Sequence, residues 1–447
     1  MRPRREAHLV VDLGFGDAGK GTLTDHLTRA RGAHTVVRFN GGAQAGHNVV
    51  TDDGRHHTFA QFGAGSFVPG VETWLTRHVV VHPTALIVEA RHLERAGVTD
   101  PLSRVTVSHL AKVVTPFHQS ATRLRELARR DARHGSCGVG VGEVMLDATT
   151  HGEVIRAGEL ADTRSLRRSL IRTQARKRDE LGDVLRAVEG VAEAERDALA
   201  FSSPTVIDAW IDALEEWRER VRVIDDSRFG DVLRRDGAVV FEGAQGVLLD
   251  EWRGTHPHTT WSTCTFDNAL ELLREHGHDG DVHRLGVVRA YSTRHGAGPL
   301  PTEDPSLTAS LDEPHNPLGA WQGAFRAGWS DRALTRYAIA ACGGVDALAV
   351  THLDRLAMRA SWRVCERYHA RDEDRALFEA NAPALGPWQD LAFQERLTRA
   401  LTRVEPVYDE VSNEPEGYVD ALERSLGAPV AITSWGPRAR DKRARSA

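Results

Sequence analysis

Cysteine is scarce in this chain, and the four present, Cys137, Cys264, Cys342 and Cys365, stand far apart with no CxxC pair. That spacing argues against a disulfide framework or a structural zinc site and leaves buried or reduced thiols. No apolar run approaches the roughly eighteen residues of a membrane span, and the opening MRPRREAHLV is charged without an apolar stretch of signal-peptide length. A cytoplasmic protein with no membrane partner is expected. An excess of positive charge is also missing: the net charge is −6, so nucleic acid is not expected as the main partner. Internal repeats and low-complexity segments are absent. Lysine is rare beside arginine, which makes a lysine inside a glycine-rich loop less incidental.

At 447 residues the chain can bury a large core. Apolar runs recur at HLVVDLG, HTVVRF, HVVVHP, RVTVS, GAVVFEG, RLGVVRAY, VDALAVTHLD and PVAITSW, and helical stretches separate many of them. The alternation predicts an α/β fold: a large, mostly parallel central sheet with helices on both faces. Ligands gather at the carboxyl ends of such strands, where GDAGKG, EGAQG, STRHGAG, THLD and SWGP also fall. Residues 156–223 read as a helical layer on the parent domain, and Pro299 to Ala327 as long mobile loops of the binding kind.

The segment LVVDLGFGDAGKGTLTDHL places a glycine-dense loop between a strand and an amphipathic helix. Gly14, Gly19 and Lys20 satisfy GxxxxGK, whose backbone N–H groups can wrap a phosphate while the lysine adds a point charge. Gly21 stands where a Walker loop has Ser or Thr, and Thr22 comes one residue late. Asp17, inside the loop, is the replacement oxygen ligand or base. On these residues alone, a tight turn that merely needs glycine stays open.

Six motifs in order, GFGDAGKG, GGAQAGHN, FEGAQGVLLD, RAYSTRHGAGPLPTE, THLD and SWGPRARD, resemble the adenylosuccinate synthetase family over nearly the whole chain. The resemblance implies one domain across residues 1–447 and a homodimer. It also implies a ligase that moves the γ-phosphate of GTP to the 6-oxygen of IMP, after which aspartate displaces the phosphate. Asp17 would be the base at N1, His47 the acid or donor at the transferred phosphate, and Gln245 the group that polarises the 6-oxygen. Mg2+ would bind Asp17 and the carbonyl of Gly46. Gly16, Gly19, Lys20, Gly21 and Thr22 would hold the GTP phosphates. Asp354 would accept from guanine N1 and N2, with Ser434, Gly436 and Pro437 lining the base. Gln44, Ser136, Thr260, His295, Trp321, Gln322 and Arg326 would lie on the substrate side.

Departures from the family pattern fall on that substrate side. The family's ATTGRRRRTGW loop becomes AWQGAFRAGW, in which Trp321 and Gln322 replace both threonines and only Arg326 remains of four arginines. The lysine of TKxD is His352, the loop HGSCGVGVG stands for TTGRGIGP, and His295 adds a titratable group. The phage branch that makes 2-aminoadenylosuccinate shares the VDLxFG spelling but typically lacks the loop aspartate, so Asp17 counts against it. Three readings follow: an adenylosuccinate synthetase with a rebuilt aspartate loop, a paralogous ligase that couples a different amine to a purine-like oxo substrate, and a non-catalytic guanine-nucleotide-binding protein.

Overall fold

The computed structural model describes residues 5–130, 135–311, 323–380 and 382–445. Strand β1 (Arg5–Asp12) is buried along almost its whole length. Side chains alternate across a strand, so Ala7, Leu9 and Val11 enter one apolar cluster while Val10 enters another with Leu23 and Leu27 of helix α1 (Lys20–Ala30). A strand covered on both faces needs an unbroken apolar run, and HLVV supplies one.

Nine further strands join it: β2 (Thr35–Arg38), β3 (Glu72–Leu75), β4 (Val105–Ser108), β5 (Arg222–Ile224), β6 (Gly237–Glu242), β7 (Asp281–Arg289), β8 (Ala347–Thr351), β9 (Val430–Ser434) and β10 (Lys442–Ala444). Their order in the ten-stranded sheet is β10-β9-β8-β7-β1-β6-β2-β3-β4-β5. All neighbours are parallel except β9 and β10. In register, Val10 lies beside Glu242 and Asp12 beside Val287. The carboxyl ends of β1, β6, β7 and β8 therefore deliver the glycine loop, EGAQG, AYSTRH and THLD to one edge of the sheet.

Two expected elements are corrected. HVVVHP forms only a two-residue pairing, Val80–Val81 with Lys112–Val113, outside the central sheet. The place beside β2 is held by β3, whose ETWL carries two polar residues. Pro299 to Ala327 is also not all loop. Asp304 accepts the N–H groups of Ser306 and Leu307 and starts a helix at Pro305–Ser310, and Phe325–Gly328 pairs antiparallel with Ser292–His295.

Residues 163–220 form five helices, the longest Thr163–Glu180. Leu166, Leu170, Ile207, Trp210 and Trp217 pack in one cluster with Leu75, Val105 and Val107 of the sheet. No helix among the described residues is long and apolar enough to cross a membrane.

Candidate functional site

Asp12, the last residue of β1, shapes the loop that follows. Its carboxylate accepts the N–H groups of Gly14 and Ala18, both at 2.8 Å, and the Lys20 ammonium at 3.1 Å. Gly16, Asp17 and Gly19 take φ of 98°, 62° and 93°. Left-handed backbone is free for glycine but costs about 1 kcal/mol at an aspartate. That conformation sets the Asp17 carboxylate at the cavity mouth, where its Oδ2 lies 3.0 Å from His295 Nε2. Burial opposes ionisation of Asp17, but the bond and charge of His295, with Arg289 and Lys20 nearby, hold its pKa below the usual carboxylate value. Helix α1 starts at Gly19 with no side-chain cap, leaving its positive end for an anion.

His47 sits behind this helix terminus. Its Nδ1 lies 2.7 Å from Oε1 of Glu242, and the other oxygen of Glu242 accepts the Ala64 N–H at 2.9 Å. Both side chains are buried. Burial lowers the His47 pKa against the raising effect of Glu242, so the imidazole is neutral near neutrality. Glu242 is held low despite burial, by His47 and then Arg38.

The EGAQG turn presses on the glycine loop: a Cβ on Gly246 would stand 2.2 Å from the Gly14 carbonyl oxygen. Asn40 clamps the turn through both backbone groups of Ala244, at 3.1 and 2.7 Å. Gln245 next to it has φ 57°, and neither its Oε1 nor its Nε2, both buried, meets a protein partner. A strained residue with an unpaired buried amide is the signature of a position kept for a ligand.

On the far side, Thr351 donates to the Ala18 carbonyl at 2.7 Å, binding the end of β8 to the glycine loop. His352 follows at φ 59° and is kept neutral by burial and then by the charge of Arg289. Asp354 is half-buried, its pKa raised by burial, with Arg355 Nε 3.4 Å away as an opposing charge. The C-terminal loop closes this end. Thr22 Oγ1 donates to the Pro437 carbonyl at 2.5 Å, and Lys442 donates to Thr22 and, at 2.8 Å each, to the carbonyls of Gly436 and Arg438. The Thr22 hydroxyl is thus spent on joining α1 to the SWGP loop.

These groups enclose one cavity of about 350 Å³. It brings together Gly16, Asp17, Gly19, Lys20, Gly21, Thr22, Gln44, Gly46, His47, Gln245, His295, Asp354, Ser434, Gly436 and Pro437. Three other expected residues do not line it. Ser136 accepts the Gly138 N–H at 3.2 Å, the Thr260 N–H donates to the Leu249 carbonyl at 2.8 Å, and Arg326 pairs with Glu303 at 2.6 Å. Trp321 and Gln322 lie outside the described residues. The sequence reading missed Asp12, Glu242 and Lys442. The first two close strands that end in the two glycine motifs, the one local signal that marks them.

The family model described as adenylosuccinate synthetase matches residues 9–443. The chain is 32% identical over 447 residues to the adenylosuccinate synthetase of Chromohalobacter salexigens, covering 96% of both chains. It is 28% identical over 439 residues to that of Alkaliphilus metalliredigens, again with 96% of both covered. The structure of fully ligated adenylosuccinate synthetase from Plasmodium falciparum superposes with a TM-score of 0.77 at 21% identity, over 98% of this chain and 99% of that one. Cyanophage S-2L succinoaminodeoxyadenylate synthetase, bound to dGMP and to dATP as an energy donor, superposes with a TM-score of 0.60 at 18% identity, over 99% and 96%.

Proposed function

Because this chain belongs to the adenylosuccinate synthetase family of GTP-dependent ligases, we propose that it moves the γ-phosphate of GTP to the 6-oxygen of an IMP-like nucleotide and lets an amine displace that phosphate. The observation that carries this reading is the unpaired Gln245 amide, buried in the wall of the cavity that Asp17 and His47 also line.

Each group has a task that follows from its setting. Asp17, ionised at neutral pH, takes the N1 proton and turns the 6-oxygen into a nucleophile. The Gln245 amide donates to that oxygen as charge develops, without adding a charge of its own. Glu242 accepts from Nδ1 of His47 and leaves Nε2 as the ring's other proton site. The negative charge of a bound γ-phosphate favours the imidazolium, which then donates to the phosphoryl oxygens. Backbone N–H groups of the Gly16–Thr22 loop hold the phosphates together with Lys20.

Mg2+ fits the donor set at the cavity mouth, since the anionic Asp17 carboxylate and the Gly46 carbonyl are hard oxygens; when bound, it neutralises phosphate charge. Asp354 accepts from guanine N1 and N2, and Ser434, Gly436 and Pro437 line the base. The reading carries with it one structural unit over residues 1–447, with the helices of about 156–223 as a subregion, a homodimer, and a place in the cytoplasm.

The test is positional isotope exchange in GTP labelled at the β,γ-bridge, with Mg2+ and IMP or dGMP and no amine. Exchange that needs the purine nucleotide and vanishes in Asp17→Asn is expected. Phosphate release that ignores every 6-oxopurine nucleotide would overturn the proposal.

A further inference from the structure

Lys442 stands on the last strand, β10, in register with Ser434 of β9, and is buried. An ammonium has three N–H groups and no lone pair. All three are spent at the nucleotide end of the cavity: one on Thr22 Oγ1 of α1, and one each on the carbonyls of Gly436 and Arg438 at 2.8 Å. Because Thr22 Oγ1 accepts from Lys442, its own proton is left for the Pro437 carbonyl at 2.5 Å.

A carbonyl oxygen carries two lone pairs, and at both carbonyls that Lys442 reaches they are filled. Gly436 accepts from Lys442 and, at 3.3 Å, from Ser434 Oγ. Arg438 accepts from Lys442 and from the Asp441 N–H at 3.0 Å. The Pro437 and Ala439 carbonyls turn to α1, where Thr22 Oγ1 and His26 Nδ1 meet them. The N–H side is pinned as well: Arg438 donates to the Asp441 carboxylate at 2.8 Å, and Trp435 to the Asp441 carbonyl at 3.0 Å. Gly436 and Pro437 line the same cavity as Asp354. A base seated there meets a loop whose acceptors are already occupied.

We infer that Lys442 is a specificity-determining residue for the phosphate donor: by filling the carbonyls of Gly436 and Arg438 it leaves a purine 6-amino group without an acceptor and so disfavours adenine nucleotides. This rests on the reading above, in which the guanine base lies against Asp354 and this loop. Selection is then divided between two positions of the base. Asp354 rewards the N1 and N2 protons of guanine, and the loop penalises a donor at C6, where guanine carries an oxo group of similar size. Burying an amino group that finds no acceptor costs about tenfold or more in affinity.

The experiment is competition against a ribose-labelled fluorescent GTP, with the full chain and Mg2+, so that no step of turnover enters. GTP and ATP are compared first; equal affinity is a failure of the guanine reading itself, and the inference falls with it. The triphosphates of 2-aminopurine riboside and 2,6-diaminopurine riboside are compared next. Both keep the 2-amino group and both lack the N1 proton, so the 6-amino group is their one difference. The parent should bind the 2-aminopurine nucleotide at least about tenfold more tightly. Equal or reversed affinities overturn the inference, and this comparison needs no variant. Lys442→Met removes the ammonium and keeps an apolar stem, which frees one lone pair on each of the two carbonyls, and the gap should narrow to about threefold or less. Lys442→Arg keeps N–H donors at the same place and should keep the gap. A merely loosened loop would weaken both nucleotides alike and leave their ratio unchanged. A ratio that survives intact in a folded Lys442→Met protein therefore overturns the role of Lys442.

Discussion

A methyl group on Gly21 would stand 2.7 Å from the Cβ of His47 and about as close to its backbone, at 3.0 and 3.1 Å. The helix that begins with the phosphate-loop lysine and the strand that begins with the histidine therefore meet with no room for a side chain. The Walker hydroxyl is missing at this position for a steric reason. His47 occupies its space, and in the proposed reading Asp17 takes over as the oxygen ligand.

Gly21→Ser should accordingly not restore a magnesium ligand. It should push α1 from His47, lower the thermal midpoint by an overpacking cost of about 1–3 kcal/mol, and reduce GTP turnover. A Gly21→Ser protein with the parent's melting temperature and activity contradicts the packing argument.

Asp17→Asn keeps the shape of the loop residue and removes its basicity, so isotope exchange should fall by about 10²–10⁴-fold with little change in GTP binding. Exchange kinetics and equilibrium titration of a non-hydrolysable GTP analogue separate the two effects.

Glu242→Gln should behave differently, because it breaks a buried pair. His47 loses its charged partner and Ala64 N–H a charged acceptor. Stability should drop by about 1–3 kcal/mol along with turnover, and by more than in Asp17→Asn, whose carboxylate is partly exposed. Denaturation curves of both variants, compared with exchange rates, check this contrast.

Asp354→Asn replaces a carboxylate that can only accept with an amide that can also donate. Preference should move from GTP toward XTP, whose 2-oxo group needs a donor. The ratio of kcat/KM values for the two triphosphates is the measurement, and an unchanged ratio means that Asp354 does not read the base.

Asp331, buried beside Cys365 in a parallel pairing, accepts the Leu334 N–H at 3.0 Å and the Tyr368 hydroxyl, and burial raises its pKa from 3.8 to about 6. Below pH 3.8 the folded and unfolded states both hold the proton and no penalty exists. Between 3.8 and about 6 the unfolded chain ionises first, so folding becomes costlier as pH rises, by about 3 kcal/mol at most. Asp331→Asn removes that dependence. Its stability relative to the parent should improve from pH 4 to pH 6 and stay level above. A difference that is flat over this window contradicts the assignment.

Much of the site was legible in the chain because its signals are local. A glycine loop after an apolar strand must turn, and its N–H groups then converge whatever the rest of the protein does. Lys20, Asp17 and His47 lie within one strand–loop–helix–strand stretch, and the polar motifs at other strand ends had to meet them once the strands were parallel. Sheet membership was less legible: HVVVHP is more apolar than ETWL, yet ETWL holds the place beside β2. Pairing depends on a distant partner's register, and apolar content does not encode that.

Tertiary structure alone decided which side chains were spent on one another. Glu242 is 195 residues from His47, and Thr22 is 415 from the carbonyl it binds. Arg326 and Glu303 are 23 apart. Nothing in the local sequence of any of these residues distinguishes a free charge from a paired one. The sequence by itself determined that the glycine loop with Asp17 and Lys20, the His47 segment and the Asp354 segment would face one cavity. Burial and the crossing of distant strands decided how His47 is held, why Gly21 has no side chain, and that Arg326 is paired with Glu303. Such pairings are set by distances that exist only once the chain has folded.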